Sequence, residues 1–281
     1  MNATISARPT LQPIPTAWEV PVANFETQLR ARGLREASVD TRVRHLRRLA
    51  RDLDGVAPLD VDAEALIAWA GRQTWAPETR HSYYQSVREF FALLRPGDSP
   101  ANSLPAIHRQ TPAPRPTPEL VFEAALARAD ERCTAILTLA GRVGLRRSEI
   151  AQVNGKDLVE DLLGYSLTVT GKGGKTRQIP LTDEVAALIR TRAATNPDGW
   201  VFPSRDGGHI SSRWLAKLAS QVLPPQWTLH TLRHRFATRA YAGERDIIAV
   251  QRLLGHNSIA TTQRYTAPPD DALRRAVEAA A

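Results

Sequence analysis

The chain has 281 residues, of which 42% are hydrophobic and 23% charged; this composition supports buried cores, excludes an intrinsically disordered chain and fits about two domains. No apolar run reaches the roughly 18 residues of a membrane span, and the N-terminus lacks the apolar core of a secretion signal, so we expect a soluble, cytoplasmic protein without a membrane partner. Lys and Arg outnumber Asp and Glu by 37 to 29, and the net charge of +8 favours a polyanionic partner.

The first 95 residues show helical periodicity. We expect residues 1–16 to be extended or disordered and residues 17–95 to form a small helical bundle. One predicted helix has Ser38 as its N-cap, a second follows Asp62, and a third begins at Pro77, a residue type favoured at the first helical position. The apolar face of the Ser38 helix recurs at steps of three and four through Val39, Val43, Leu46, Ala50 and Leu53.

Arginine is concentrated in the same region. Eight arginines lie between residues 30 and 51, more than solubility requires. Their clustering predicts a DNA-facing surface, with a merely solvated helix face as the alternative. The predicted DNA-binding residues here are Arg42, Arg44, Arg47, Arg48 and Arg51.

A proline-rich segment separates the two predicted domains. Seven of the 20 prolines fall between Pro96 and Pro118. Such a stretch cannot sustain a helix or an interior strand, so residues 96–117 are predicted to form an extended, semi-rigid linker. Its basic residues suit a segment lying along a phosphate backbone, although a plain spacer is equally compatible with this composition.

Residues 118–281 are predicted to form a mainly helical domain with a small antiparallel β-sheet. Two strand-like runs, 162–170 and 176–182, are joined by the glycine-rich sequence GKGGK, which is typical of a β-hairpin. The predicted helical segments are 118–130, 132–142, 183–195, 212–222, 229–241, 246–254 and 270–280.

The sequence LHTLRHRFATR places chemically active side chains on one helical face. His230, Arg233 and His234 stand at positions i, i+3 and i+4. A zinc-protease site would need Glu where Thr231 stands, and no neighbouring carboxylate or cysteine completes a metal site. A mixture of His and Arg suits a phosphate instead, while His234 is expected to serve helix packing.

The GKGGK segment resembles a nucleotide-binding loop only at its end. Gly174, Lys175 and Thr176 match the last three positions, but Val169 replaces the required first glycine and the segment joins two strands. These departures disfavour a nucleotide triphosphatase. A hairpin tip that carries Lys172 and Lys175 is instead suited to reach a phosphodiester.

Four motifs in this half of the chain, taken together, resemble the tyrosine recombinase family of phage integrases and Xer-type recombinases. The resemblance covers about residues 118–270, and it depends on the order and spacing of the motifs. The motifs are GLRRSEI (144–150), TGKGGKTRQIPL (170–181), LHTLRHRFATR (229–239) and LLGHNSIATTQRYT (253–266).

The resemblance implies a role for each matching residue, with no metal and no other cofactor. Arg146 and Arg233 would bind the scissile phosphate, and Glu149 would support Arg146. Lys172, with Lys175 as its rival, would be the general acid. The remaining implied roles are a general base or proton relay for His230, a hydrogen bond to the phosphate for His256, and the nucleophile for Tyr265.

The chain departs from the usual family pattern at two positions. Arg147 stands where the family usually has an aliphatic residue, and Arg235 where it often has Ser. Both arginines add positive charge, either as further phosphate contacts or as surface residues. Arg147 and Lys175 join the predicted DNA-binding set.

The resemblance also implies a function and its partners. A homotetramer would hold two core-type sites in double-stranded DNA and exchange strands through a Holliday junction, with a directionality factor as a further possible partner. The C-terminal helix would dock on a neighbouring protomer or pack on its own domain. We expect a phage or mobile-element integrase without an arm-binding domain. The alternatives are an Xer-type chromosome-dimer resolvase, a type IB topoisomerase-like enzyme and a non-cleaving DNA-binding module.

Overall fold

The computed structural model describes residues 12–108, 113–171, 174–255 and 277–278. The chain divides into two compact units, Met1–Thr111 and Pro112–Ala281. The predicted fold class, mainly α with a small antiparallel sheet in the C-terminal part, is confirmed. Among the described residues, no helix is both long and apolar enough to span a bilayer.

Among the described residues of the N-terminal unit, four helices pack around an aromatic core. Trp18 stacks on Phe90 with 5.8 Å between ring centroids, and Phe25 meets the same ring edge-on at 5.7 Å. Burial of these large apolar rings is the main force that holds the helices together. The helices are α1 (Thr16–Ala31), α2 (Glu36–Asp52), α3 (Ala63–Gly71) and α4 (Pro77–Leu94), followed by a 3₁₀ turn at Pro100–Ser103.

The predicted helix starts are correct at α3 and α4 and wrong at α2. Asp62 caps α3 by accepting a hydrogen bond from the Ala65 amide, and Pro77 begins α4. Helix α2 begins at Glu36, two residues before the predicted cap Ser38. The amide of Ser38 already donates to the Arg35 carbonyl, so Ser38 lies inside the first turn and cannot serve as its cap.

In the described part of the C-terminal unit, seven helices pack around the main hydrophobic core. Helix α6 is almost completely buried, and Ile136 and Leu139 on it have no exposed surface. The helices are α5 (Glu119–Arg128), α6 (Glu131–Gly141), α7 (Arg147–Ala151), α8 (Asp183–Ala194), α9 (Ser212–Val222), α10 (Leu229–Glu244) and α11 (Ile247–Leu254). The predicted helix 270–280 lies outside the described residues except for positions 277–278.

A three-stranded antiparallel sheet joins this core, in the order β1 (Leu158–Asp161), β2 (Gly164–Thr170) and β3 (Thr176–Leu181). The predicted hairpin corresponds to β2 and β3. Strand β1 was not predicted because three of its four residues are exposed and the segment has no alternating apolar pattern. Leu162 and Leu163, predicted to begin a strand, form the exposed turn between β1 and β2 instead.

Candidate active site

Glu149 is the centre of a cluster of charged side chains in the C-terminal unit. Its side chain is 2% exposed, and three arginines from three different elements point at it. Arg146 precedes α7, Arg177 lies on β3, and Arg233 lies on α10. The fold thereby brings three of the four sequence motifs to one carboxylate.

Arg146 holds Glu149 through both its backbone and its side chain. Its amide donates to Oε2 at 2.8 Å, and its Nη1 donates to Oε1 at 2.7 Å. Its Nη2 donates to the carbonyl of Gly255 at 3.0 Å. The Arg146 side chain remains 33% exposed, so solvent, and therefore a ligand, reaches this guanidinium.

Arg177 lies within the motif at residues 170–181, but no role was predicted for it from the sequence. Its Nη1 and Nη2 donate to the two carboxylate oxygens of Glu149 at 3.0 and 2.9 Å, and its Nε donates to the carbonyl of Leu253 at 2.8 Å. Such a two-pronged guanidinium–carboxylate pair is strong and fixes orientation. A sequence signal existed, because Arg177 alternates with Ile179 along β3 and so shares its inward face.

Arg233 is 3% exposed and is held mainly by backbone oxygens. Its Nη1 donates to the Gly144 carbonyl and its Nη2 to the Leu254 carbonyl, each at 2.6 Å. The same Nη1 lies 3.8 Å from Glu149 Oε2. Arg233 therefore ties α10 to the loop before α7 and to the end of α11.

The charge balance of the cluster keeps Glu149 ionised. Burial raises the pKa of the Glu149 carboxyl, but hydrogen bonds from Arg177 and Arg146 lower it by more than burial raises it. The resulting pKa is about 2. Three guanidinium charges against one carboxylate leave a net charge of +2. Such a cluster attracts a phosphodiester, particularly one that gains negative charge during a reaction.

Two glycines allow the backbone to approach this cluster closely. Gly144 has φ +74°, and a Cβ there would lie 2.3 Å from Phe236 Cδ1. Gly255 has φ +62°, and a Cβ there would lie 3.0 Å from Arg177 Cδ. Since both conformations are left-handed, glycine is the residue that fits at each position without strain.

His230 lies at the exposed end of a short chain of hydrogen bonds. Its Nε2 is 3.1 Å from Nε2 of His234, which is 9% exposed. The Nδ1 of His234 accepts the backbone amide hydrogen of Arg115 at 3.1 Å. The predicted packing role of His234 agrees with this burial.

Lys172, His256 and Tyr265 lie outside the described residues. Their described neighbours are close to the cluster: a Cβ on Gly171 would be 3.8 Å from Glu149 Oε1, and the Gly255 carbonyl accepts from Arg146. The Gly171 amide also donates to the Lys175 carbonyl at 2.8 Å, which closes the base of the hairpin.

The two extra arginines have different environments. Arg147 is exposed at the start of α7. Arg235 is 6% exposed, so its interpretation as a surface residue is wrong. Its Nη2 and Nε donate to the two carboxylate oxygens of Glu119 at 2.6 and 2.9 Å. Its guanidinium carbon lies 4.0 Å from the centre of the Phe122 ring, so Arg235 connects α10 to α5.

The predicted DNA-binding arginines of α2 also differ from one another. Arg42 pairs with Glu89, and Arg47 donates to the Gln12 carbonyl at 2.8 Å. Arg48 packs over the Trp75 ring, with its guanidinium carbon 5.2 Å from the centroid. The two remaining residues are Arg44, which is exposed, and Arg51, which is half-buried.

The chain is similar to known proteins in both sequence and structure. Residues 118–271 match the model of the phage integrase family. The chain is 32% identical over 235 residues to tyrosine recombinase XerC of Xanthomonas campestris pv. campestris (strain B100), covering 77% of this chain and 72% of the relative. It is 37% identical over 223 residues to XerC of Methylobacterium sp. (strain 4-46), covering 69% and 68%.

Two solved structures share the fold. The XerH site-specific recombinase bound to difH substrate superposes with a TM-score of 0.68 at 19% identity, covering 90% of this chain and 83% of that one. The Tn1549 transposon integrase in complex with transposon right end DNA gives a TM-score of 0.64 at 23% identity, covering 92% and 98%.

Proposed function

Because this chain belongs to the phage integrase family of tyrosine recombinases, which cleave and rejoin DNA at specific sites, we propose that Tyr265 is its nucleophile and that the Glu149 cluster binds the scissile phosphate. The observation that carries this proposal is the net positive cluster of Arg146, Arg177 and Arg233 on one buried carboxylate.

Arg146 is the primary phosphate ligand in this proposal, since its side chain is 33% exposed whereas that of Arg233 is 3% exposed. Arg233 lies behind it and adds charge at a fixed position. Preorganised guanidinium groups stabilise charge that develops on the nonbridging oxygens without having to reorient during the reaction. This arrangement suits a phosphoryl transfer that needs no metal ion.

The proposed reaction has two steps, cleavage of a strand and its resealing. In the first step the Tyr265 phenol gives its proton to solvent water and its oxygen bonds to phosphorus, while the bond between phosphorus and the 5′ oxygen breaks and that oxygen takes a proton from Lys172. Forming the phenolate at pH 7 costs about 4 kcal/mol for a tyrosine of ordinary pKa, and the net charge of the cluster offsets this cost. The resulting 3′-phosphotyrosyl bond conserves the energy needed for a 5′ hydroxyl to reseal the strand.

The N-terminal unit supplies a second DNA contact in this proposal. Arg44, Arg48 and Arg51 stand at i, i+4 and i+7 on α2, so their side chains follow one stripe of the helix. A stripe of arginines matches the spaced phosphates of a duplex and adds affinity that salt weakens. The partner in this proposal is double-stranded DNA that carries core-type sites. A homotetramer would hold two such sites and exchange strands through a Holliday junction.

Two biological roles use this chemistry. We propose integration of a phage or mobile element, with control of direction by an accessory factor. Chromosome-dimer resolution is the second candidate, and the identities of 32% and 37% with XerC proteins favour it. Recombination of two different sites into new hybrid sites would support integration, whereas recombination between two copies of one site would support dimer resolution.

Covalent capture tests the proposed chemistry. Nicked duplexes tiled across the DNA that flanks the coding gene are incubated with the wild-type chain, and protein–DNA adducts are separated by denaturing electrophoresis. We expect a protease-sensitive adduct that Tyr265→Phe abolishes while DNA binding persists. The matched control is Tyr241→Phe on α10, which should still form the adduct. An adduct formed by Tyr265→Phe would refute the nucleophile.

A supercoiled plasmid and a two-site plasmid separate the remaining alternatives. Relaxation without recombinant products would identify topoisomerase-like activity. Specific binding without any adduct would identify a non-cleaving module.

A further inference from the structure

The hydrogen-bond chain that ends at His230 has a fixed polarity. It begins at the backbone of residues 115–117, here called the linker strap, which lies against the start of α10. The Thr117 amide donates to the Thr231 carbonyl at 3.1 Å, and the Thr117 hydroxyl donates to the Thr231 hydroxyl at 2.8 Å. The Arg115 guanidinium also packs 4.7 Å from the centre of the Trp227 ring. The strap is thereby held at several points.

A backbone amide can only donate a hydrogen bond. The Arg115 amide, 3.1 Å from Nδ1 of His234, therefore requires that nitrogen to be an unprotonated acceptor. A neutral imidazole carries one proton, so the proton of His234 lies on Nε2. That nitrogen is 3.1 Å from Nε2 of His230 and donates to it.

We infer that His234, oriented by the strap, is a positioning residue that holds the catalytic His230 as the tautomer with its proton on Nδ1. The Nε2 of His230 is occupied as an acceptor, so it does not take the phenol proton. In this tautomer the N–H of His230 lies on Nδ1, and an N–H donor is the kind of group that binds a phosphate oxygen. This inference rests on the proposed function for its catalytic meaning, but the tautomer itself does not.

The opposite tautomer would break the chain at two places. A proton on His230 Nε2 would face the Nε2 proton of His234, and two donors cannot share one hydrogen bond. Turning His234 into the acceptor would move its proton to Nδ1, where it would face the Arg115 amide. Because His234 is buried against the strap, neither conflict is relieved by free rotation in water.

Two substitutions of His234 separate its two hydrogen bonds. His234→Gln places an amide nitrogen near the position of Nε2, so it retains a donor toward His230. His234→Asn places an oxygen near the position of Nδ1, so it retains the bond from the Arg115 amide and loses the donor. We expect His234→Asn to slow single-turnover cleavage of a nicked duplex by about tenfold or more with unchanged DNA affinity, and His234→Gln to restore most of the rate.

Nitrogen-15 NMR of the full wild-type chain reads the tautomer directly and without DNA. Signals of the seven histidines are assigned by the loss of one set in His230→Gln. We expect His230 protonated on Nδ1 and His234 on Nε2 at pH 7, with the His230 preference lost in His234→Asn. A His230 protonated on Nε2 in the wild type, or full cleavage by His234→Asn, would overturn the inference. Wild-type protein that shows the expected tautomer but forms no covalent adduct would instead refute the proposed function.

Discussion

Replacing Glu149 with Gln keeps the shape of the side chain and removes the charge that three arginines share. The carboxyl has a pKa of about 2 instead of the ordinary 4.5, because the hydrogen bonds from Arg177 and Arg146 outweigh the burial that raises it. At about 1.4 kcal/mol per tenfold change, this difference corresponds to about 3 kcal/mol of stabilisation by the ionised form. Glu149→Gln should destabilise the C-terminal unit by roughly that amount.

Hydrogen exchange measured by mass spectrometry tests this magnitude. A loss of about 3 kcal/mol should speed exchange of the slowest amides of α6 and β3 about 100-fold. Peptides from α1–α4 serve as an internal reference because they belong to the other unit. The matched control is Glu184→Gln, since Glu184 is 75% exposed and its pair with Arg142 should contribute less than about 1 kcal/mol.

The sign of the pH dependence gives an independent check on Glu149. Its folded pKa is lowered, so its stabilisation is complete above about pH 4.5 and is lost as the pH falls toward about 2. The wild type should lose stability through this window, and Glu149→Gln should lose less. Unchanged exchange rates in Glu149→Gln, within about threefold of the wild type, would refute the view that the shared carboxylate stabilises the unit.

Three further predictions concern other parts of the chain. Burial, and to a smaller extent the charges of neighbouring arginines, lowers the pKa of His45 to about 4. The free energy of unfolding of the N-terminal unit should therefore fall by up to about 3 kcal/mol between pH 6.5 and pH 4. His45→Gln should flatten this pH dependence, as measured by urea unfolding. Gly255→Ala should lower stability by about 1–2 kcal/mol because its φ is +62° and its Cβ would press on an arginine. Gly243→Ala on α10 meets nothing within 4 Å and should leave the Tm unchanged or raised. Arg44→Ala should reduce the slope of log affinity for DNA against log salt by about 0.9, the contribution of one phosphate contact. Arg30→Ala should change that slope less, since Arg30 already pairs with two glutamates; equal slopes for both variants would contradict the proposed α2 stripe.

Elements with a strong apolar period or a clear first residue were predictable from the sequence. Helix α4 combines Pro77 at its start with buried aromatic residues on one face, and both signals are local. Strand β1 and helix α7 carry no such signal. Strand β1 is mostly exposed, and α7 has only five residues, too few to show a helical period. Their positions depend on the elements that pack beside them.

The site was predictable as a set of motifs and not as a set of contacts. Arg146 and Arg233 belong to motifs that can be read along the chain, but the bond between Arg177 and Glu149 joins residues 28 positions apart. Arg235 shows that contacts are also missing from the sequence beside the predicted site. An arginine at this position is predicted to be a further phosphate contact or a surface residue. Only the packing of α10 on α5 shows that Glu119 and Phe122 enclose it.

Sharing one carboxylate among three arginines reconciles two demands on this site. A separate carboxylate for each guanidinium would neutralise the cluster and remove its attraction for a phosphate. No carboxylate at all would leave buried like charges that repel one another and destabilise the fold. Glu149 satisfies both demands, because it fixes Arg146 and Arg177 by hydrogen bonds of 2.7–3.0 Å and still leaves a net charge of +2. The backbone carbonyls of Gly144, Leu253 and Leu254 accept further hydrogen bonds from Arg233 and Arg177 at no cost in charge. The fold therefore holds the guanidinium groups in place while their charge remains for the DNA.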